Sequence, residues 1–412
     1  MLSVFSAAWI VPVSSPPLAK GWIAVEAGHI VGLGPGTSPE GRRLATRADE
    51  VVDLGRVAIM PAVVNAHTHL ELSWMRGRVQ PAPTMPEWVR TLMRLRRSSG
   101  DAPSAIAPAL DELRAAGTAV VGDVSNTLAS VGPLCASGLD AVVFHELLGF
   151  NVTDAAAVAS QARTRVASTN PRPGISVGLA AHAPYSTSPA LFKAVHREAE
   201  AAHLPLGVHL GESPEEVEFL RSGSGPWREL LGDLGSWDPG WTAPNCGPTE
   251  YLDRLGFLTP GVVVVHGTQL TEGEFALLAR RRAVLVTCPR SNEWTGVGVP
   301  PWAAIHASRV TVAIGTDSLA SAPDLSVFAE LAATRRTVPD MPPGWMLRAA
   351  TLGGAVALGC DDRYGSLEAG KRAAMIAVEL GSDHDKVERV LVSGIAPDRI
   401  TWVEAASPAQ AC

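Results

Sequence analysis

Four histidines and an aspartate, His67, His69, His209, His266 and Asp317, sit at or just beyond the ends of apolar runs: AIMPAVVNAHTH, LPLGVHLGES, GVVVVHGTQL and VTVAIGTDSL. Alternate residues of a strand share one face, so the imidazoles of His67 and His69 can converge on a single point. Imidazoles combined with a carboxylate suit a borderline divalent ion such as zinc, or a first-row neighbour such as iron. A chain that places one such group after several separate buried strands points to metal-dependent hydrolysis.

Positioning them requires a repetitive frame. Eight apolar, β-branched runs are present: AVVNAH, TAVVGDV, DAVVFHELLGF, ISVGLAAHAP, LPLGVHL, VVVVHG, AVLVTCP and VTVAIGTD. Between most of them lie stretches at helical spacing, such as SPALFKAVHREAEAAH and TEGEFALLARRR. Buried strands alternating with helices indicate parallel βα units, and eight of them predict an α/β fold, a (β/α)₈ TIM barrel over residues 61–370. An open doubly wound sheet is the competing architecture, but no Gly-rich nucleotide fingerprint follows the early strands. Residues 1–60 read as short strands broken by turns, and 371–412 resemble them. Both ends are therefore expected to form one small β-sandwich domain. A Trp-rich insertion at 222–252, carrying Trp227, Trp237 and Trp241, follows the fifth strand and reads as a surface loop, a lid or a subunit contact.

Composition narrows the function classes. The net charge is −7, and the densest basic group, Arg94, Arg96 and Arg97, is too brief for a phosphate track, so nucleic acid is not an expected partner. No apolar run approaches the ~20 residues that cross a bilayer, and MLSVFSAAWIVPVSSPP carries no basic residue before Lys20, unlike a secretory signal. The five cysteines, Cys135, Cys246, Cys288, Cys360 and Cys412, show no CxxC pairing, which fits a reducing, cytoplasmic setting.

NAHTHLE, HLGES, VVHG, CPRSN and GTDS, in that order, resemble the amidohydrolase superfamily, in its cytosine-deaminase-like branch. The resemblance covers nearly the whole chain, from VVDLGRVAIMP to YGSLEAGKRAAMIAV; Ala62 stands where the family usually has glycine. Binuclear relatives carry a bridging lysine at the end of the fourth strand, a region occupied here by His182 of HAPYS. The resemblance therefore implies one divalent ion, zinc or iron, on His67, His69, His209 and Asp317, with His266 beside the reacting water. It also implies a homodimer.

On that basis Glu212, three residues beyond His209, is the expected proton donor to a substrate ring nitrogen. Asp317 is expected to take the water proton while remaining a ligand, and His266 to orient the nucleophile. The motifs look most like deaminases of adenosine-type nucleosides: methylthioadenosine, S-adenosylhomocysteine and, with HTHLELS and GTDSLAS, aminodeoxyfutalosine. Guanine, cytosine and triazine hydrolysis share the machinery, and a catalytically silent scaffold is the rival from another class. Arg290 is the expected partner of a substrate carboxylate. His182, Glu71, Trp74, Trp88, Glu146 and Asn292 complete the expected pocket wall, each with a structural alternative: a loop staple for the tryptophans, a brace for His69 in the case of Glu71.

Overall fold

A computed structural model describes residues 1–100, 102–381 and 386–404. Cys412 and the end of the expected C-terminal segment lie outside the described residues. Among the described residues Cys135, Cys246, Cys288 and Cys360 form no disulfide.

The N-terminal strands are β1 (Leu2–Ile10), β2 (Leu18–Glu26), β3 (His29–Pro35), β4 (Glu50–Asp53) and β5 (Val57–Pro61). The eight apolar runs form β6 (Val63–Thr68), β7 (Thr118–Ser125), β8 (Asp140–Leu147), β9 (Ile175–Ala181), β10 (Leu206–Leu210), β11 (Val263–His266), β12 (Val284–Thr287) and β13 (Thr311–Ile314). The chain then returns in β14 (Met375–Glu379) and β15 (Ile400–Val403).

β6 to β13 make one eight-stranded sheet in sequence order. From β7 through β13 each strand pairs in parallel with the next. Helices intervene between its strands, as the helical spacing predicts. Their starts carry ordinary capping chemistry: Ser188 accepts from the Leu191 N–H, and Thr271 with Glu274 forms a capping box. The sheet closes where a parallel bridge joins Thr68 to Asp317. There the His67 carbonyl accepts both the Thr316 N–H (3.1 Å) and the Asp317 N–H (3.0 Å). Asn65 clamps the same seam, donating through Nδ2 to Thr316 Oγ1 (2.8 Å) and accepting the Thr316 N–H (3.2 Å).

The chain divides into two compact units. One comprises residues 65–112 and 120–325, and holds the barrel strands apart from the first two residues of β6 and β7. The other comprises 1–64, 113–119 and the described residues from Ser326 onward. Its mixed seven-stranded sheet has the order β15–β14–β5–β1–β2–β3, with β4 also on β1, so both ends of the described chain contribute. One face buries Phe5, Ile10, Ile23, Ile59, Met375 and Val403 together; Val4 and Trp22 pack with Leu44 in a separate cluster. The 113–119 segment belongs to this unit through Trp402, whose indole N–H donates to the Arg114 carbonyl (3.0 Å). Among the described residues no helix is long and apolar enough to cross a membrane.

Gly315 marks how tightly the barrel seam is packed. A Cβ there would lie 2.6 Å from His67 Cβ and 2.9 Å from the His67 backbone N and O. Gly315→Ala is expected to cost about 1–3 kcal/mol by urea unfolding, because backbone atoms must move. Gly273→Ala, whose added Cβ meets nothing within 4 Å, is the control and should be neutral or slightly stabilising.

Candidate metal centre and substrate cavity

The strand ends deliver the expected groups to one place. His67 and His69 arrive from β6, with Nε2 atoms 3.8 Å and 3.6 Å from Asp317 Oδ1. His209 ends β10 and presents its Nε2 3.4 Å from that of His67. His266 ends β11, its ring centroid 5.5 Å from that of His209. His266 and Asp317 hold left-handed backbone angles (φ 78° and 59°), a conformation costing a non-glycine residue about 1–3 kcal/mol and recurring at functional sites.

The tautomers follow from hydrogen bonds. His209 Nδ1–H donates to the His182 carbonyl (3.2 Å), with Glu146 Oε1 3.4 Å from the same nitrogen, so the Nε2 lone pair faces the cluster. His266 Nδ1–H donates to Asn292 Oδ1 (3.0 Å), freeing its Nε2 toward Glu212 Oε1 at 3.2 Å. His182 Nδ1 meets Ser186 Oγ at 2.5 Å, and Ser186 donates onward to the Ala183 carbonyl, so that ring also turns Nε2 outward.

Electrostatics sort these groups by charge. Burial, then the neighbouring rings, hold His67 well below the ordinary imidazole range, and burial lowers His209 and His266 too. Burial pushes His182 from 6.5 to about 3. For Asp317, burial acts upward, but His69, His266 and the Ser291 hydroxyl outweigh it, and the carboxyl ends below its usual range. Ser291 (2.6 Å) and Ser321 (3.2 Å) both donate to Oδ2, leaving Oδ1 to the histidines. Glu212 moves the other way: burial, then Asp317, Glu216 and Glu146, raise it well above an ordinary glutamate, which favours its protonated form.

Neutral imidazoles with converging lone pairs beside one ionised carboxylate are the donor set of a divalent cation. The ligand atoms of His67, His69 and Asp317 lie within 4.8 Å of one another, as do those of His67, His209 and His266. The Nε2 atoms of His67 and His209 face each other at 3.4 Å, a pair that either a shared proton or a cation can satisfy. The residues therefore fit a metal ion.

A cavity of about 650 Å³ opens beside this cluster, a size suited to a small organic ligand. His182, Glu146 and Trp88 line it, along with His69, His209, Glu212, His266 and Asp317. Four expected wall residues are elsewhere. Glu71 is consumed by the loop after β7, accepting from the Ser125 and Thr127 hydroxyls and the Asn126, Thr127 and Ala129 N–H groups. Trp74 packs with Met75, Val79 and Trp88 as a staple for its loop. Arg290 pairs with Asp324 (2.8 Å) instead of reaching the cavity. Asn292 fixes His266.

Other lining residues were not expected in the wall from the sequence. Val89, Leu92, Met93, Arg96 and Arg97 join Trp88 in one stripe along the helix Met85–Ser99, a spacing legible in the sequence. Tyr185 of HAPYS also lines the cavity. The insertion contributes Trp227, Leu230, Leu231 and Leu234 through and just past the helix Pro226–Asp233, while Trp237 and Trp241 pack with Phe150 and Phe219 behind it. It thus builds a wall of the cavity.

The ligand assignment has a direct readout. His67→Ala or His209→Ala should abolish stoichiometric uptake of zinc measured by elemental analysis, whereas His266→Gln should retain one ion per chain. The ring of His182 should stay neutral from neutral to mildly acidic pH in NMR spectra of the metal-free protein; titration near 6.5 would contradict its burial.

Comparison with known proteins agrees with this arrangement. The amidohydrolase family model matches residues 58–400. The aminodeoxyfutalosine deaminase of Deinococcus radiodurans is 33% identical over 314 residues, 73% of each chain. The 5-methylthioadenosine/S-adenosylhomocysteine deaminase of Moorella thermoacetica is 31% identical over 392 residues, covering 91% of this chain and 85% of its own. The crystal structure of an adenosine deaminase from Xanthomonas campestris with bound zinc superposes with a TM-score of 0.80 at 28% identity, covering 97% of this chain and 90% of that one. Sequence, strand order and the histidine–aspartate cluster converge: the chain belongs to the amidohydrolase family of hydrolytic enzymes.

Proposed function

We propose that the protein is a metal-dependent aminohydrolase that removes the 6-amino group of an adenine nucleoside, with aminodeoxyfutalosine as the preferred substrate. The observation that carries the deaminase reading is Glu212, a buried carboxyl whose burial raises its pKa, 3.2 Å from His266 and bordering the cavity. Replacing an amino group on an aromatic ring by oxygen needs a proton on the adjacent ring nitrogen, and a carboxyl with a raised pKa is suited to give one.

His67, His69, His209 and Asp317 would hold the ion, zinc or iron. When bound, a divalent ion supplies Lewis acidity that brings the pKa of a coordinated water to about 7. The chain's own groups do the rest. His266, its Nδ1–H committed to Asn292, keeps Nε2 free to orient the attacking water. Asp317, ionised and steadied through Oδ2 by two serines, is the carboxylate available to take that water's proton. Glu212 protonates the ring nitrogen and can return a proton to the departing amine. The C–N bond is exchanged for C–O, and ammonia leaves.

The cavity wall supports an extended nucleoside. Val89, Leu92, Leu230, Leu231 and Leu234 line the same cavity, as do Arg96 and Arg97. An apolar wall carrying guanidinium groups fits a 5′ extension that is largely apolar and ends in a carboxylate, as the benzoate of aminodeoxyfutalosine does. Arg96 also donates to Asn126 Oδ1 (3.3 Å), which fixes its place in the wall. With Arg290 engaged by Asp324, Arg96 and Arg97 take over the role expected of it. A second reading, deamination of methylthioadenosine or S-adenosylhomocysteine, is favoured by the near-equal identity and longer coverage of the Moorella relative.

Glu212→Gln should retain the ion and lose roughly 10²- to 10⁴-fold in turnover. In the unsubstituted enzyme kcat/KM should fall as pH rises through the raised Glu212 pKa, because the donor is then deprotonated. Ammonia release from adenosine, methylthioadenosine, S-adenosylhomocysteine and aminodeoxyfutalosine tests the substrate. The paired change Arg96→Ala with Arg97→Ala should cost roughly 10- to 100-fold in kcat/KM on the benzoate nucleoside and leave adenosine nearly unchanged. Benzoate nucleoside turned over no faster than methylthioadenosine would refute the preferred substrate.

A further inference from the structure

Glu216 is fully buried, and no step of the proposed reaction uses it. It is the third residue of the helix Pro214–Ser222, whose N-cap Ser213 accepts the Glu216 N–H through its side chain. In a capping box the side chain at this position returns the bond to the N-cap's own N–H. Here the carboxylate reaches past Ser213 to the two residues before it. Oε1 accepts the Gly211 N–H (2.9 Å) and Oε2 the Glu212 N–H (3.0 Å), so both oxygens are committed to the turn that carries Glu212.

The other side of that turn is held as well. The Gly211 carbonyl accepts the Gln269 N–H (2.7 Å). The peptide joining Gly211 to Glu212 is thus fixed at its oxygen by the loop after β11 and at its nitrogen by Glu216. Gly211 itself is left-handed (φ 61°), and a Cβ on it would lie 2.3 Å from Leu270 Cδ2, so the backbone there has little room to shift. Gln269 lies three residues beyond His266. One peptide therefore sets how the Glu212 carboxyl stands against the His266 ring, which its Oε1 approaches to 3.2 Å.

The arrangement costs the fold stability. Burial drives the Glu216 carboxyl up to about 7 although both N–H groups pull it down, and no cation is among the groups that shift it. Glutamine has nearly the same shape without the charge, but its amide nitrogen is a donor and would face one of the two N–H groups. A carboxylate offers an acceptor to each.

We propose that Glu216 is a positioning residue for the reaction, its carboxylate fixing the Gly211–Glu212 peptide so that the Glu212 carboxyl meets both His266 and the cavity. The assignment rests on the reading of Glu212 as proton donor given above. Glu216 adds no group to the chemistry; it sets the aim of one already there.

The experiment is steady-state kinetics of zinc-loaded enzyme and its Glu216→Gln variant, on whichever of the four nucleosides above is turned over fastest. The same substitution is repeated on the Glu212→Gln background, with elemental analysis and thermal unfolding of each protein. Glu216→Gln should lose roughly tenfold in kcat, keep KM within about twofold and retain one ion per chain. On the Glu212→Gln background it should cost less than about twofold, because the group it aims is already gone. If Glu216→Gln does not fold, Glu216→Asp, charged but one methylene short of both N–H groups, should show the same kcat-selective loss. An unchanged kcat, a loss shared by kcat and metal content, an equal loss on both backgrounds, or failure of both variants to fold would overturn the assignment. If the parent deaminates no nucleoside, or Glu212→Gln stays fully active, the functional reading falls and this one with it. An inert Glu212→Gln beside an indifferent Glu216→Gln overturns the positioning alone.

Discussion

The site depends on the seam between the first and last strands of the barrel. One carbonyl, that of His67, accepts the N–H groups of both Thr316 and Asp317. The same few atoms thus close the sheet and set the cluster's carboxylate against its first histidine, across some 250 residues of chain. Asn65 reinforces the join, and Gly315 permits it, because nothing larger than hydrogen fits between β13 and the His67 backbone. Barrel closure and assembly of the centre are therefore one event. Displacing Asp317 relative to β6 would also open the hydrogen bonds that complete the barrel.

Around that seam, charge is distributed with little redundancy. Burial holds His67, His209 and His266 below the ordinary imidazole range, and each of His209 and His266 commits its Nδ1–H to a fixed acceptor, leaving Nε2 toward the cluster. The pKa of Asp317 is drawn down by the neighbouring histidines and the Ser291 hydroxyl against its burial, while burial and the surrounding carboxylates raise that of Glu212. Two carboxyl groups in one pocket are thus shifted in opposite directions by their neighbours.

Much of this was legible in the sequence, for identifiable reasons. All eight barrel strands were marked by β-branched runs, because strands buried on both faces cannot alternate in polarity. The histidines, Asp317 and Glu212 stood out because polar residues at the ends of such runs are uncommon. The cavity wall was harder to read, since a side chain's direction on a loop depends on contacts that spacing does not encode. Glu71 and Arg290 looked like ligand-binding charges, but local partners engage them: the loop after β7 in one case, Asp324 in the other. Arg96, noticed in the sequence only as part of a basic group too brief for a phosphate track, lines the cavity from the helix Met85–Ser99.

The separation between the centre and its wall has an evolutionary consequence. The ion-binding and proton-handling groups stand on strand ends that cannot move without opening the barrel, whereas the insertion supplies Trp227, Leu230, Leu231 and Leu234 from a helix attached to the frame by its own aromatic packing. Changes in that segment can reshape what is admitted and leave the reactive chemistry untouched. A lineage carrying this scaffold can therefore explore new ligands by remodelling one excursion of the chain, while the histidine–aspartate cluster stays as it is.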